Sequence, residues 1–167
     1  MSEVDFNFMN QVNTGANGPR SPKCSVDSFI RDGQKIQLGD TEVTVVETPG
    51  HTPGCISLIF PVKQDGKSYN VGQWGGTGAP QGLAEKKAYR NSIDYFEKYV
   101  KAAHATVEIT AHLFAENGYA KLENAGDRTS GDINPFEIGE EGFANYLNDL
   151  RKSIDAAIAE QAQKNNS

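Results

Sequence analysis

Residues 48–54, with the sequence Thr-Pro-Gly-His-Thr-Pro-Gly, place His51 between two prolines and two glycines. Proline restricts φ, and glycine reaches backbone conformations that are closed to other residues, so this loop loses less entropy when it fixes the imidazole. A fixed imidazole suits a metal ligand. A histidine between prolines is also an ordinary turn residue, and the loop alone leaves both interpretations open.

A second candidate ligand is His112, which follows the predicted strand at residues 106–110. The third histidine of the chain, His104, comes after a helical segment rich in lysine, and we expect it to face solvent. Because the chain has 3 histidines in total, any histidine ligand has to be one of these.

The elements that must position these histidines follow from the spacing of apolar residues. β-Branched residues and alternation predict strands at residues 35–38, 42–47, 55–61, 67–72 and 106–110, with Asp65-Gly66 as a hairpin turn. Apolar residues at steps of three and four predict helices over residues 84–103 and from about Glu140 onward. His51 and His112 therefore each lie just beyond the end of a strand.

The motifs around His51 resemble those of the metallo-β-lactamase superfamily. An Asp-Gly pair at 32–33, a Leu-Gly pair at 38–39 and the loop 48–54 occur in the order in which that family precedes the third histidine of its first zinc site. The resemblance implies that His51 is this ligand and that His112 is the last histidine of the second zinc site. It is closest to the branch whose second zinc is held by histidine and aspartate without cysteine.

What the resemblance implies chemically comes from the metal. Zinc lowers the pKa of bound water to about 7, so that hydroxide forms at neutral pH and attacks the substrate. The nucleophile is then this hydroxide and no side chain is expected to be catalytic. Small-molecule lactams, lactones, thioesters and phosphoesters are all substrates in the superfamily, and the fold does not choose among them.

The first half of the family pattern is absent from this chain. The H-x-H-x-D-H motif, which supplies two ligands to each zinc, is missing, and residues 1–31 contain no histidine. A catalytic zinc takes three protein ligands and a water, whereas His51 and His112 would give one ligand to each metal. Two readings stay open: a zinc-dependent hydrolase completed by a segment or partner, or a non-catalytic truncated remnant or interaction module.

The resemblance implies an α+β fold, half of an αββα sandwich with a mainly antiparallel sheet and helices on one face. Alternate residues of a strand point to opposite faces, so the helices that cover Val46 and Ile59 cannot also cover the remaining apolar set. We expect a homodimer or a complex with the missing N-terminal half to cover that set, which comprises Val43, Val45, Ile56, Leu58 and Phe60.

Domain organisation is read from composition. Residues 1–26, rich in Asn, Gly and Pro, predict an irregular lead-in, and residues 161–167 are a polar tail expected to fray. The resemblance implies that residues 27–160 are the C-terminal half of a metallo-β-lactamase-like domain. The net charge of −6 without a basic cluster argues against nucleic acid as a partner. The absence of a long apolar run argues against a membrane span, and the acidic start predicts a cytoplasmic chain as given.

The remaining polar and reactive residues have ordinary interpretations. Cys24 and Cys55 predict free thiols, since no Cys-x-x-Cys pair is present. Residues 74–78 predict a plain glycine-rich loop at the place where relatives carry a side chain near the second zinc. Asn117 and Tyr119 lie just beyond His112 and are candidates for the border of a substrate pocket.

Overall fold

The computed structural model describes residues 1–12, 23–115, 117–129 and 131–164. Helices and strands follow one another as α1 (Glu3–Gln11), β1 (Lys35–Leu38), β2 (Thr41–Glu47), β3 (Ile56–Gln64), β4 (Lys67–Trp74), α2 (Leu83–Ala102), β5 (Val107–Thr110), α3 (Gly118–Gly126) and α4 (Gly139–Lys164). The expectation of an α+β fold is confirmed.

The strands form one sheet in the order β1-β2-β3-β4-β5. Neighbours from β1 to β4 are antiparallel, and Asp65 and Gly66 make the predicted hairpin turn between β3 and β4 with positive φ angles of 51° and 76°. β5 pairs with β4 in parallel, which requires the crossover that α2 provides. As a result β2, β4 and β5 run in the same direction, and the loops that follow them emerge at one edge of the sheet.

Helices α2 and α4 cover one face of this sheet. The core that they share with the strands contains Val46 and Ile59 from the sheet, Phe96 from α2 and Phe143 from α4. Phe143 is fully buried against Gly72, where a Cβ atom would lie 2.5 Å from the ring Cζ, so α4 approaches the sheet this closely because residue 72 is glycine. Full burial of a side chain such as Phe143 contributes about 1.5–3 kcal/mol.

Ion pairs, including one between Arg90 of α2 and Asp155 of α4, join the outer surfaces of the two helices. Arg151 on α4 donates to Asp94 and Glu97 on α2, and Arg90 on α2 pairs with Asp94. Burial acts to raise the pKa of the Asp94 carboxyl, but hydrogen bonds from Arg151 and Arg90 prevail and hold it below the ordinary value of 3.8. This network orients the two helices relative to each other above their apolar contact.

Two short helices were not anticipated, and one of them corrects the expected irregular lead-in at residues 1–26. Residues Glu3–Gln11 form α1, whose N-terminus is capped by the Ser2 hydroxyl, which accepts from the Asp5 amide at 3.1 Å. Residues 13–22 of the lead-in lie outside the described residues. α3 has nine residues, too few for a clear helical period in the sequence. α4 continues to Lys164, so the first part of the predicted tail is helical.

The opposite face of the sheet carries the residues that the alternation assigned to it. Strand pairing aligns Val45 with Leu58 and Phe60 with Val71, on the side away from the shared helix core. Val45 and Val71 are buried, whereas Leu58 and Phe60 are half-buried. The expectation that a partner covers this face stays a prediction.

Candidate functional site

Three loops meet at the edge of the sheet where β2, β4 and β5 end. They begin at Thr48, Gly75 and Ala111, and they carry His51, the glycine-rich segment and His112, respectively. Adjacent strands lie about 4.8 Å apart, so the ends of β2 and β5 are separated by about 14 Å. The topology thus brings both candidate ligands to one edge.

The loop that carries His51 rests directly on helix α2. Gly50 has a φ of +141°, and a Cβ atom built on it would lie 2.5 Å from Tyr89 Cα and 2.6 Å from Tyr89 N. The Ser92 hydroxyl donates to the Pro49 carbonyl at 2.7 Å. Only glycine fits between loop and helix here, and α2 therefore fixes the loop just before His51.

Asp32, from the Asp-Gly pair of the sequence motif, ties the end of β2 to the same helix. One carboxylate oxygen accepts from the Glu47 amide at 2.8 Å, and the other accepts from the Tyr95 hydroxyl at 2.6 Å. This bond to the Asp32 carboxylate raises the pKa of Tyr95 above its ordinary value of 10. The aspartate of the motif thus has a structural part in holding the strand from which the His51 loop departs.

Buried hydroxyl groups close the base of the loop and connect it to the next one. The Thr48 and Ser57 hydroxyl oxygens lie 2.8 Å apart, and the Thr48 amide donates to the Cys55 carbonyl at 2.8 Å. Ser57 Oγ also accepts from the Gly75 amide at 3.1 Å. Because Thr48 and Ser57 are both fully buried, this bridge fixes the spacing of the first two loops away from water.

The imidazole of His51 is oriented by a backbone carbonyl of the second loop. His51 Nδ1 lies 2.9 Å from the Gly78 oxygen. A carbonyl only accepts, so this contact places the proton on Nδ1 and leaves Nε2 as the acceptor. Metal-binding histidines are commonly held in this way by a second partner on the other ring nitrogen. The His51 side chain is exposed, and Nε2 is therefore the atom that it offers to a ligand.

The segment that holds His51 is itself fixed by two aromatic side chains. Trp74 Nε1 and the Tyr89 hydroxyl both donate to the Gly76 carbonyl, at 3.0 and 2.6 Å. Burial raises the pKa of Tyr89 above its ordinary value of 10. The glycine-rich loop therefore positions a carbonyl for His51, a role that its side chains could not reveal because the contact is made by the backbone of Gly78.

His112 has a different and looser setting. The His112 amide donates to Thr110 Oγ1 at 3.3 Å, and the Thr110 hydroxyl donates to the His112 carbonyl at 2.8 Å. Both hydrogen bonds lie within one turn. The ring stacks on Phe114 with centroids 5.0 Å apart and planes 15° apart. Within the described residues, no group of three or more His, Cys, Asp and Glu side chains could hold a metal ion.

A buried ion pair lies behind the His112 loop. Glu108 on β5 is 1% exposed, and its carboxylate lies 3.2 Å from Lys121 Nζ on α3. Thr110, Leu113 and Gly118 line a cavity of about 220 Å³ together with this pair. The pair joins α3 to the sheet beside the candidate ligand.

The other residues named in the sequence analysis do not lie together at one site with His51 or His112. His104 is exposed and pairs with Glu140 at 3.0 Å, as expected for a solvent-facing histidine. Cys24 is an exposed free thiol and Cys55 a buried one, and burial raises the pKa of Cys55 above its ordinary value of 9.0. Asn117 and Tyr119 are exposed near the start of α3, and their contribution to a substrate pocket stays a prediction.

No family model matches the sequence. Among solved structures, the fold is similar to a subclass B3 metallo-β-lactamase of Bradyrhizobium japonicum, with a TM-score of 0.69, 25% identity and coverage of 90% of this chain and 57% of that one. It is also similar to the native metallo-β-lactamase of Legionella gormanii (TM-score 0.66, 24% identity, 94% and 58% coverage). A class B3 di-zinc enzyme from an Alaskan soil metagenome gives a TM-score of 0.65 at 22% identity, with 93% and 61% coverage.

These similarities confirm the expected resemblance at the level of the fold. The chain spans 57% to 61% of the length of these structures, so it has part of a metallo-β-lactamase fold. Helices of the described part do not reach the length and apolar character needed to cross a membrane.

Proposed function

We propose that this chain contributes to a zinc-dependent hydrolase of the metallo-β-lactamase type, acting on a lactam, lactone or ester-type bond of a small molecule. The observation that carries the proposal is the contact between His51 Nδ1 and the Gly78 carbonyl at 2.9 Å, which leaves Nε2 facing outward from a loop held on several sides. The similar structures, which include a di-zinc enzyme, support the same chemistry.

The described residues do not complete a zinc site. A catalytic zinc needs three protein ligands, and among these residues no cluster of that size is present. We therefore propose that His51 and His112 each supply one ligand and that the remaining ligands come from a further segment or a partner chain. The contribution of this chain is to hold the two imidazoles at one edge of the sheet.

The half-buried side chains of Leu58 and Phe60 support a partner on the open face of the sheet. We propose a second copy of the chain or an N-terminal half of the fold as that partner. Size-exclusion chromatography with light scattering tests the first alternative directly. A dimer is expected, and a stable, well-ordered monomer with no affinity for an added N-terminal half contradicts the proposal.

A second candidate function is a non-catalytic interaction module that retains the fold without using zinc. The lack of a metal-binding cluster among the described residues favours it. Under this alternative, the rigid loop around His51 is a structural feature retained from a complete enzyme. The two functions differ in whether the chain takes up zinc once the completing segment or partner is present.

Zinc content of the purified chain and of three single variants distinguishes these functions. Under the hydrolase proposal, the wild type joined by its completing partner, a second copy or an added N-terminal half, retains zinc after gel filtration. Both His51→Ala and His112→Ala then lower the zinc content and the hydrolysis of nitrocefin or a simple ester. His104→Ala is the matched control, since His104 is exposed, pairs with Glu140 and precedes β5, whereas His112 follows that strand. Absence of zinc from the wild type, both by itself and with an added N-terminal half of the fold, refutes the hydrolase proposal and leaves the interaction module.

A further inference from the structure

The N-terminus of helix α1 contacts the His51 loop through two polar side chains. The Asp5 carboxylate accepts from the Thr52 hydroxyl at 2.6 Å and from the Gly54 amide at 2.7 Å. The Ser2 hydroxyl donates to the Gly54 carbonyl at 2.7 Å. We call this set of three hydrogen bonds the α1 clamp; its members are Ser2, Asp5, Thr52 and Gly54.

The clamp is closely fitted. Ser2 is 2% exposed, although it stands at the end of a surface helix. A Cβ atom on Gly54 would overlap Ser2 Oγ and lie 2.6 Å from the Asp5 nitrogen. The loop thus accepts the helix end only because residue 54 is glycine, which gives the second glycine of the loop a purpose that the sequence did not disclose.

Apolar burial is a minor part of what holds α1 in place. No residue within Glu3–Gln11 is buried, and an isolated helix of this length is only marginally stable in water. One apolar contact of α1 is the pair Phe6 and Phe29, with ring centroids 5.3 Å apart. Hydrogen bonds to a charged carboxylate are the stronger kind, so the bonds of Asp5 are the principal link between α1 and the loop.

We propose that Asp5 and Ser2 are positioning residues for His51, an inference that rests on the proposed function of His51 as a metal ligand. Helix α2 restrains the loop before His51 through Pro49 and Gly50, and the α1 clamp restrains it directly after His51. The imidazole therefore sits between two anchored segments, and the Gly78 carbonyl sets its rotation. Without the clamp, the second half of the loop loses its anchor and His51 no longer holds one orientation.

The test uses metal-free protein and two NMR measurements: hydrogen exchange of the Gly54 amide and the ¹⁵N shifts of the His51 ring. In the wild type, Gly54 is protected and His51 shows a single tautomer protonated at Nδ1. Asp5→Ala is expected to raise the exchange rate of the Gly54 amide roughly 10- to 100-fold, since a hydrogen bond to a charged group is lost. The His51 ring shifts should move toward the average of the two tautomers.

Matched variants separate the clamp from general effects on α1. Glu3→Ala removes the same charge from the first turn of the same helix at an exposed residue, and it should leave both measurements unchanged. Thr52→Val removes one bond of the clamp with little change in shape and should give a smaller effect than Asp5→Ala. Gly54→Ala expels the helix end sterically and should reproduce the effect of Asp5→Ala on the His51 ring.

The proposal is overturned if Asp5→Ala changes the His51 ring shifts no more than Glu3→Ala does. If Asp5→Ala does not fold, Thr52→Val decides in the same way, because it retains the helix cap formed by Ser2 and the Asp5 amide. Cobalt titration of the same variants serves as the link to function. Failure of the wild type to bind cobalt, both by itself and with an added N-terminal half of the fold, refutes the proposed function alone, whereas unchanged ring shifts in metal-free protein refute the clamp alone.

Discussion

Substitution of Gly50 by alanine tests whether helix α2 supports the His51 loop as the structure indicates. Two costs combine at this position. The φ of +141° lies in a region that L residues avoid, which costs about 1–3 kcal/mol. The new Cβ would also lie 2.5 Å from the Tyr89 Cα, and relieving such overpacking of backbone costs about 1–3 kcal/mol more. We expect a total loss of about 2–6 kcal/mol.

Urea denaturation of Gly50→Ala measures this loss as a fall in the midpoint, and Gly39→Ala is the matched control. Gly39 also has a positive φ, 62°, but no atom lies within 4 Å of the Cβ that would be added. Its substitution carries only the backbone cost, about 1–2 kcal/mol. If Gly50→Ala is no more destabilising than Gly39→Ala, α2 does not pack against the loop and the reasoning about how His51 is supported fails.

Two further predictions concern the framework of the site. Tyr89→Phe removes a hydrogen bond to the Gly76 carbonyl and should lower the free energy of unfolding by about 1 kcal/mol, measured by urea denaturation; an unchanged value would show that Trp74 suffices to hold that carbonyl. The pKa of Asp94 is lowered in the folded state, so its stabilising contribution is present above its ordinary pKa of 3.8 and is lost as the pH falls through the folded value. The difference in unfolding free energy between the wild type and Asp94→Asn should therefore shrink below about pH 4. Because Asp94 is half-exposed, this difference should be below about 1 kcal/mol at neutral pH. A difference that does not change with pH would contradict the contribution of the Asp94 charge.

The sheet and the two long helices could be predicted because their residues carry periodic signals. Alternation in β2 and β3 assigned Val46 and Ile59 to the helix-covered face and Leu58 and Phe60 to the other, and strand pairing agrees. Helix α1 gave no such signal, since its stability depends on contacts with residues far along the chain. Asp5 binds Thr52 and Gly54, 47 and 49 positions away, and no local pattern discloses a contact at that distance.

The candidate site also has one part that the sequence predicts and one that it does not. The type and setting of His51 pointed to a ligand, since proline and glycine on both sides make a rigid loop. The partner that orients its ring is the backbone carbonyl of Gly78. Because every residue has a backbone carbonyl, the sequence gives no signal for this contact. Sequence can therefore indicate which side chain is a candidate ligand, while the backbone group that orients its ring is found only when the loops after β2 and β4 are placed at the same edge of the sheet.

The two candidate ligands differ in how much of the fold holds them, and this difference bears on how a complete site would form. His51 is fixed by α2, by the Gly78 carbonyl and by α1, so under the proposed function its imidazole would be preorganised and would lose little entropy on binding a metal. His112 is held by its own turn and by stacking on the exposed Phe114. A segment or partner that completes the site would meet His51 already in position, whereas at His112 it would have to order the loop as well as supply ligands. Under the proposed function, metal affinity at His51 would therefore depend less on the completing part than metal affinity at His112.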